Sequence, residues 1–335
     1  MNELKQTFRA LVLREERVAP SVETLSLADL PPGNVLIEVN YSSLNYKDAL
    51  AVTHTAPVVR SFPMVPGVDL MGTVLESDAP DVQTGDQVVL TGWGVGERYW
   101  GGYSQLARVN ADWLIPLPAG LTGIQSMAIG TAGLTAMLCV MALETRMVLE
   151  NQQTDAPKGS VLVTGAAGGV GSFAIALLSQ LGYQVTASSG RHAALGDYLQ
   201  SLGATQVIGR LEPFAQSLGK PQWDSAIDTV GGQTLATLLK MIAYNGSVSA
   251  CGLSGGSDLP ATVYPFILRG ISLLGIDSVM CAKPKRLEAW NRLALLLSEQ
   301  TLDLILEQTI PLETIPLLSQ QILNGDVRGR VVVGL

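Results

Sequence analysis

One stretch limits the possible folds of this chain more than any other. Residues 161–171 read Val-Leu-Val-Thr-Gly-Ala-Ala-Gly-Gly-Val-Gly, an apolar β-type run that breaks into glycines at 165, 168, 169 and 171. Ser172-Phe-Ala-Ile-Ala-Leu-Leu178 then continues as an apolar helix former. Strand, glycine turn and helix in that order set free backbone N–H groups and a helix N-terminus against a pyrophosphate. A glycine-rich turn can also serve packing alone. The flanking strand and helix, with a second strand roughly 20 residues on, favour a dinucleotide site. Thr164, Ala167, Gly168, Gly169 and Val170 are its candidate cradle.

The second strand, Tyr183-Gln-Val-Thr-Ala-Ser-Ser-Gly-Arg191, determines which nucleotide fits. An NAD site places Asp or Glu at its end to bond the ribose 2′-hydroxyl, and here Ser189, Gly190 and Arg191 stand instead. A carboxylate would repel a 2′-phosphate, whereas a small hydroxyl loop ending in Arg can hold one. The motif points to NADPH. Arg210, just past Gln206-Val-Ile-Gly209, is a second candidate for the same phosphate. The plain alternative for either arginine is a solvated surface charge.

Around this motif the pattern is α/β. From near residue 125, helices alternate with apolar strands: helix 126–150, strand 160–164, helix 170–181, strand 183–188, helix 193–202 and strand 205–208. A strand at 223–230, a helix at 232–243 and strands at 246–251 and 271–276 extend the series, followed by a helix at 284–300. Such alternation requires a parallel sheet with helices on both faces. Before it, strand-type runs at 8–27, 34–44 and 63–90 are punctuated by Pro/Gly turns and suggest a small barrel-like β domain. The last strand, 329–334, has no helix after it and is expected to return to that domain.

With 335 residues, two domains are comfortable. A formal charge of −8, with no Lys/Arg block, argues against nucleic acid or an anionic membrane surface as partner. Cys139, Cys251 and Cys281 are scattered in apolar contexts and read as reduced core thiols of a cytoplasmic protein. Met1–Gln6 carries no apolar signal core. Ser126–Leu143 lacks charge and approaches membrane-spanning length, but its Gly and Thr content and unanchored flanks favour a buried helix.

Several blocks together resemble a known family across essentially the whole chain. They are Ser42-Ser-Leu-Asn-Tyr-Lys-Asp-Ala49, Pro63-Met-Val-Pro-Gly67, Leu90-Thr-Gly-Trp-Gly-Val-Gly96, Ile129–Leu138, Ala226-Ile-Asp-Thr-Val-Gly231, Cys251-Gly252 and Asp277-Ser-Val-Met280. The chain is similar to the medium-chain dehydrogenase/reductase superfamily, in the quinone-oxidoreductase-like branch that contains bacterial acrylyl-CoA reductase. The resemblance implies a GroES-like β-barrel catalytic domain over 1–127, a Rossmann doubly wound domain over 128–282, and a C-terminal segment, 283–335, returning to the catalytic domain. It also implies NADPH as hydride donor, a homodimer, and Leu253, Ser278 and Asn324 as cofactor contacts.

Zinc enzymes of the superfamily use a Cys in the first loop, a Gly-His-Glu block and a later Cys. This chain has Asn45-Tyr46-Lys47-Asp48 and Gly67-Val68-Asp69 there, and no run of four close cysteines. His54 and His192 are far apart and read as a loop residue and a helix-entry residue. No metal is expected.

Without a Lewis acid, hydride transfer needs an acceptor that delocalises its own charge. An α,β-unsaturated thioester does so as an enolate, and quinones do so as well. Tyr46, after Asn45, is the side chain expected nearest the reacting atoms, to orient cofactor or substrate; Asn45 and Thr131 complete the candidate catalytic set, with helix capping the alternative for Thr131. Asp48 is expected to fix the loop. Arg60, Arg98 and Arg269 are candidates for the phosphates of CoA. Three functions remain open: reduction of acrylyl-CoA to propionyl-CoA, reduction of a quinone or reactive enone, and NADPH binding without catalysis.

Overall fold

A computed structural model describes residues 7–149 and 158–335. The chain forms two compact units. The first comprises residues up to Thr131, Val279–Ala294 and Ile305–Leu335; the second comprises Ala132–Ser278 and Leu295–Leu304. Met1–Gln6, read above for a signal, lies outside the described residues, as does residue 150.

The first unit is built on β-structure. Strands β1 (Thr7–Val12) and β2 (Ser21–Ser26) pair antiparallel as a two-stranded sheet. The larger sheet contains β3 (Val35–Leu44), β4 (Asp69–Ser77), β5 (Gln87–Thr91), β6 (Leu106–Val109) and β7 (Ile115–Pro116). Two late strands, β14 (Leu306–Ile310) and β15 (Arg330–Gly334), complete it in the order β14-β15-β3-β4-β5-β7, with β6 also on β3. β15 runs antiparallel to β3, with Val331 opposite Leu44 and Val333 opposite Ser42. Val331 and Val333 of β15 join Leu44, Val52, Val65 and Tyr103 in one core, which gives the return of the chain its driving force.

Two helices here differ from the sequence expectation. Residues 45–48, read as a loop, enter helix α1 (Tyr46–Val52), where Asn45 and Asp48 form a reciprocal capping box. A β-type segment stops there because Asn45 and Asp48 satisfy the first N–H groups of a helix instead. The second is α9 (Ile315–Asn324), not anticipated from the sequence, which packs on α1 and starts with Pro316 in its first turn.

The long helix α2 (Gly123–Leu149) is broken at Gly130, whose φ of 45° and ψ of −151° are non-helical. The chain passes from the first unit to the second directly after this break, at Thr131/Ala132. Most of α2 is buried inside the protein: 89% of its most apolar window, as expected of a core helix.

The second unit carries a six-stranded sheet in the order β10-β9-β8-β11-β12-β13, parallel at each recorded pairing. Its strands are β8 (Ser160–Val163), β9 (Gln184–Ser188), β10 (Gln206–Ile208), β11 (Trp223–Asp228), β12 (Ile242–Ala250) and β13 (Ser272–Gly275). Helices α3 (Gly169–Gln180), α4 (His192–Ser201), α5 (Gly232–Leu239) and α6 (Tyr264–Arg269) connect them. Helix α5 ends four residues earlier than its apolar pattern suggested, because Met241 N–H turns back to the Leu238 carbonyl and Ile242 already enters β12. The expected helix at 284–300 is two helices, α7 (Lys283–Leu296) and α8 (Glu299–Ile305).

Candidate active site

In the second unit, β8 ends at Val163 and the chain turns through Thr164–Gly168 into α3. Gly165 holds φ +58°, and a Cβ on it would approach Thr229 Oγ1 to 2.1 Å, so only glycine makes this turn. The first helical bond of α3 runs from Ser172 N–H to the Gly168 carbonyl at 2.9 Å. The N–H groups of Gly169, Val170 and Gly171 therefore precede the helix ladder, as a phosphate cradle requires. Thr164 is buried with its hydroxyl donating to Asp228 Oδ1 at 2.6 Å, and Asp228 Oδ2 accepts from Gly231 N–H at 2.7 Å. Thr164 thus ties two loops at the carboxyl ends of β8 and β11. Burial raises the Asp228 carboxyl above its ordinary range, against the pull of Thr164 and Gly231.

At the end of β9, Ser189 Oγ accepts from Arg191 N–H at 3.1 Å, closing a tight turn before α4. A Cβ on Gly190 would meet Arg210 Nε at 2.6 Å, so the Arg210 guanidinium lies directly over this turn. Ser189, Gly190, Arg191 and Arg210 are thereby gathered in one place, with no carboxylate among residues 188–191. This is the chemistry of a 2′-phosphate site. Leu253, 60% exposed, follows β12, and Ser278 follows β13, where its hydroxyl accepts from Thr135 at 2.8 Å. The cradle and the phosphate turn fit NADPH.

In the first unit the candidate catalytic residues surround a buried polar cluster. Asp69 Oδ2 accepts from Ser43 Oγ at 2.5 Å, Asn45 Nδ2 at 3.0 Å and Thr131 N–H at 2.9 Å; Oδ1 accepts from Thr131 Oγ1 at 2.5 Å. Asp48 Oδ2 accepts from Asn45 N–H at 3.0 Å and Asn45 Nδ2 at 3.1 Å, while Oδ1 accepts from Val68 N–H at 2.9 Å. Arg330 donates to Asn45 Oδ1 at 3.0 Å and to the Ala128 carbonyl at 2.8 Å, with Nη2 3.9 Å from Asp69 Oδ2. Burial lowers the Arg330 pKa from its ordinary value, and the two aspartates hold it up. A Cβ on Gly130 would come within 2.5 Å of Asp69 Oδ2, so the break in α2 makes room for this carboxylate.

The structure places the candidate residues as follows. The Asn45 side chain is buried and engaged on both its oxygen and its nitrogen. For Thr131, the capping alternative is reversed: Asp69 is the acceptor that caps the restarted helix, and the Thr131 N–H and hydroxyl are its donors. Tyr46 is 39% exposed, and no hydrogen bond to its hydroxyl is recorded among the described residues. Asn324 is the last residue of α9 and exposed. Arg269, a candidate for CoA, is instead buried, donating to the carbonyls of Gly219, Lys240 and Ile242. Arg60 and Arg98 are exposed. Asp69, Arg330, Ser43 and Tyr103 were given no site role by the sequence reading; the available signal was a charge at the first position of a strand followed by apolar residues, in Asp69-Leu-Met and Arg330-Val-Val-Val. Among the described residues no group of three or more His, Cys, Asp and Glu is placed to hold a metal.

Comparison with known proteins places these two sites in a family. Residues 31–119 match the alcohol dehydrogenase GroES-like domain, and residues 169–295 match the zinc-binding dehydrogenase domain. The acrylyl-CoA reductase of Ruegeria pomeroyi is 50% identical, over 97% of this chain and 98% of that protein. The chain belongs to the medium-chain dehydrogenase/reductase superfamily. A putative quinone oxidoreductase of Bacillus subtilis, YhfP, is 46% identical over 98% of this chain and 99% of its own. The Bacillus subtilis protein yhfP solved with NAD bound superposes with a TM-score of 0.92 at 44% identity, covering 99% of this chain and 100% of its own. The yhdH oxidoreductase from Salmonella enterica, solved in complex with NADP, gives 0.92 at 48% identity and covers 98% and 99% of the two chains.

Proposed function

We propose that the protein is an NADPH-dependent reductase of short 2-enoyl-CoA thioesters, converting acrylyl-CoA to propionyl-CoA. The observation that carries this is the acid-free turn holding Ser189, Arg191 and Arg210, in a chain half identical to an acrylyl-CoA reductase over nearly its whole length. Arg191, Arg210 and Ser189 hold the 2′-phosphate, and the N–H groups of Gly169, Val170 and Gly171 face the pyrophosphate, with Ala167, Gly168 and Thr164 shaping the turn. Leu253, Ser278 and Asn324 are further contacts. NADPH supplies a hydride when bound. An α,β-unsaturated thioester would be a suitable acceptor for it, since its oxygen can carry the charge as an enolate that water would protonate at the α-carbon. Tyr46 orients the reacting groups through its exposed hydroxyl, while Asn45 and Thr131 act by holding Asp69 and the turns around it.

The identity to a putative quinone oxidoreductase supports a second reading on the same scaffold. The two separate in one assay: NADPH oxidation against acrylyl-CoA, crotonyl-CoA and a panel of quinones, each with and without a strong chelator. Acrylyl-CoA is expected to give the highest kcat/KM, unchanged by the chelator. A quinone turned over faster than either thioester overturns the substrate assignment.

The protein further acts as a cytoplasmic homodimer in this reading. Its three cysteines are unpaired thiols. Val263, Tyr264, Ile267 and Leu268 are all exposed, on or next to α6 and just before the edge strand β13. Such an apolar group beside an open strand edge suits pairing with a second copy.

A further inference from the structure

Asp48 is fully buried, yet it is the third residue of α1, two positions after Tyr46, the exposed residue assigned to the reacting groups. Its two oxygens take three N–H donors at once: Asn45 N–H, Asn45 Nδ2 and Val68 N–H. Those donors come from the residue that caps α1 and from the loop before β4, so one carboxylate ties the N-terminus of α1, where Tyr46 stands, to that loop. Every lone pair aimed at them belongs to the ionised form. A proton on Asp48 takes one of its acceptor sites and removes the charge that strengthens all three bonds, so the hold on these N–H groups weakens.

The charged surroundings decide how easily that proton is taken up. β4 presents Asp69 and β15 presents Arg330, which faces both aspartates. Tyr103 donates to the Ser43 carbonyl at 3.1 Å and lies within hydrogen-bond reach of Asp48, and its own pKa is pushed well up by burial. On α1 itself, Lys47 is paired with Glu97 at 2.8 Å. Helix α9, packed against α1, carries no titratable side chain. Two carboxylates therefore share one guanidinium out of contact with water. Burial first, then the negative charge of Asp69, pushes the Asp48 carboxyl up to about 7, against the pull of its N–H donors.

We propose that Asp48 is the positioning residue of the Tyr46 turn: ionised, it locks the first turn of α1 and presents Tyr46 in one conformation, and protonated, it releases that turn. This rests on the reductase reading for its effect on rate, but not for its effect on Tyr46. Turnover rises with pH through the Asp48 titration and then levels. The stability of the ligand-free protein runs the opposite way. The folded-state value is raised above the ordinary 3.8, so the native state holds a proton that the unfolded chain has released. That contribution is full below about 4 and lost by the time pH passes about 7.

The test uses the whole chain with ¹³Cε-labelled tyrosine, the Tyr46 signal being assigned by its absence in Tyr46→Phe. In the unmodified protein the Tyr46 resonance and kcat should share one midpoint near pH 7. In Asp48→Asn both should lose it, with kcat at pH 8 down by about 5- to 50-fold and NADPH affinity unchanged. A Tyr46 signal that is flat from pH 5.5 to 8.5 in the unmodified protein overturns the proposal. So does a midpoint that persists in Asp48→Asn. Should Asp48→Asn fail to fold, Tyr46→Phe decides: a kcat that still rises through pH 7 shows that Asp48 does not act through Tyr46. Absence of thioester reduction at every pH refutes the reductase reading instead, and the resonance still reports on Asp48.

Discussion

The nucleotide turn of the second unit and the polar cluster of the first unit are built in opposite ways. The turn is a short local loop: N–H groups stand ahead of the α3 ladder, and the Arg210 guanidinium lies against a serine-glycine turn. In the cluster, almost every polar atom is spent on a neighbour, and the side chain proposed to face the reacting groups, Tyr46, stands outside the network. An open site binds; a closed network holds geometry and carries a charge balance that cannot be relaxed by water. The contrast predicts that substitutions in the two regions will differ in kind as well as size.

The largest effect is expected in the cluster. Asp69→Ala leaves Arg330 buried with its main countercharge gone and uncaps the helix restart at Thr131, a loss of about 3–5 kcal/mol in unfolding free energy. Denaturant titration measures it. A loss under about 1 kcal/mol would mean that the cluster is wetter, and less closed, than the contrast requires.

Arg191→Ala comes next. It removes a charge-assisted contact of roughly 1.5–3 kcal/mol, so the NADPH Kd should rise by about 10- to 150-fold while NADH binding and unfolding free energy barely change. Calorimetric titration with both nucleotides checks this. Equal affinity for NADPH and NADH in the unmodified protein would refute the phosphate turn, and the relative solved with NAD makes that a sharp test.

Tyr46→Phe is the smallest and the most discriminating. One neutral hydrogen bond to the reacting groups is worth about 1–3 kcal/mol, so kcat should fall by about 5- to 150-fold with stability and NADPH affinity intact. A wild-type rate would leave Tyr46 as a surface residue and move orientation of the oxyanion to backbone N–H groups.

The same contrast explains what could be read in advance. The nucleotide turn is local: residues 161–191 contain strand, glycine turn, helix and second strand, so spacing alone exposes it. Only Arg210 adds to it from further along, and it too stands just past a strand end. The cluster draws on Ser43, Asp48, Asp69, Tyr103, Thr131 and Arg330, which no window connects. Asn45 and Tyr46 were visible through resemblance, but a short helix whose cap is itself held by another strand has no periodicity to show. Helix α9 escaped for a related reason. Thr314 and Pro316 are start signals for it, but the Thr314 side chain makes no capping bond and the preceding strand β14 is mostly exposed, so the segment read as loop.

The place of β15 in the sheet has a consequence for how the protein is made. Ala132–Ser278, nearly all of the second unit, is contiguous and can condense as it leaves the ribosome. The first unit cannot. Asp48 and Asp69 are synthesised early, yet the guanidinium that balances them follows about 260 residues after Asp69, on the order of 10–50 s at ~5–20 residues per second. Until Arg330 arrives, the nascent barrel holds two carboxylates with no countercharge, and its strand β3 has an open edge where β15 will lie. The nucleotide-binding unit is thus the older structure in each molecule's life, and the catalytic unit is sealed last, by a residue near the end of the chain.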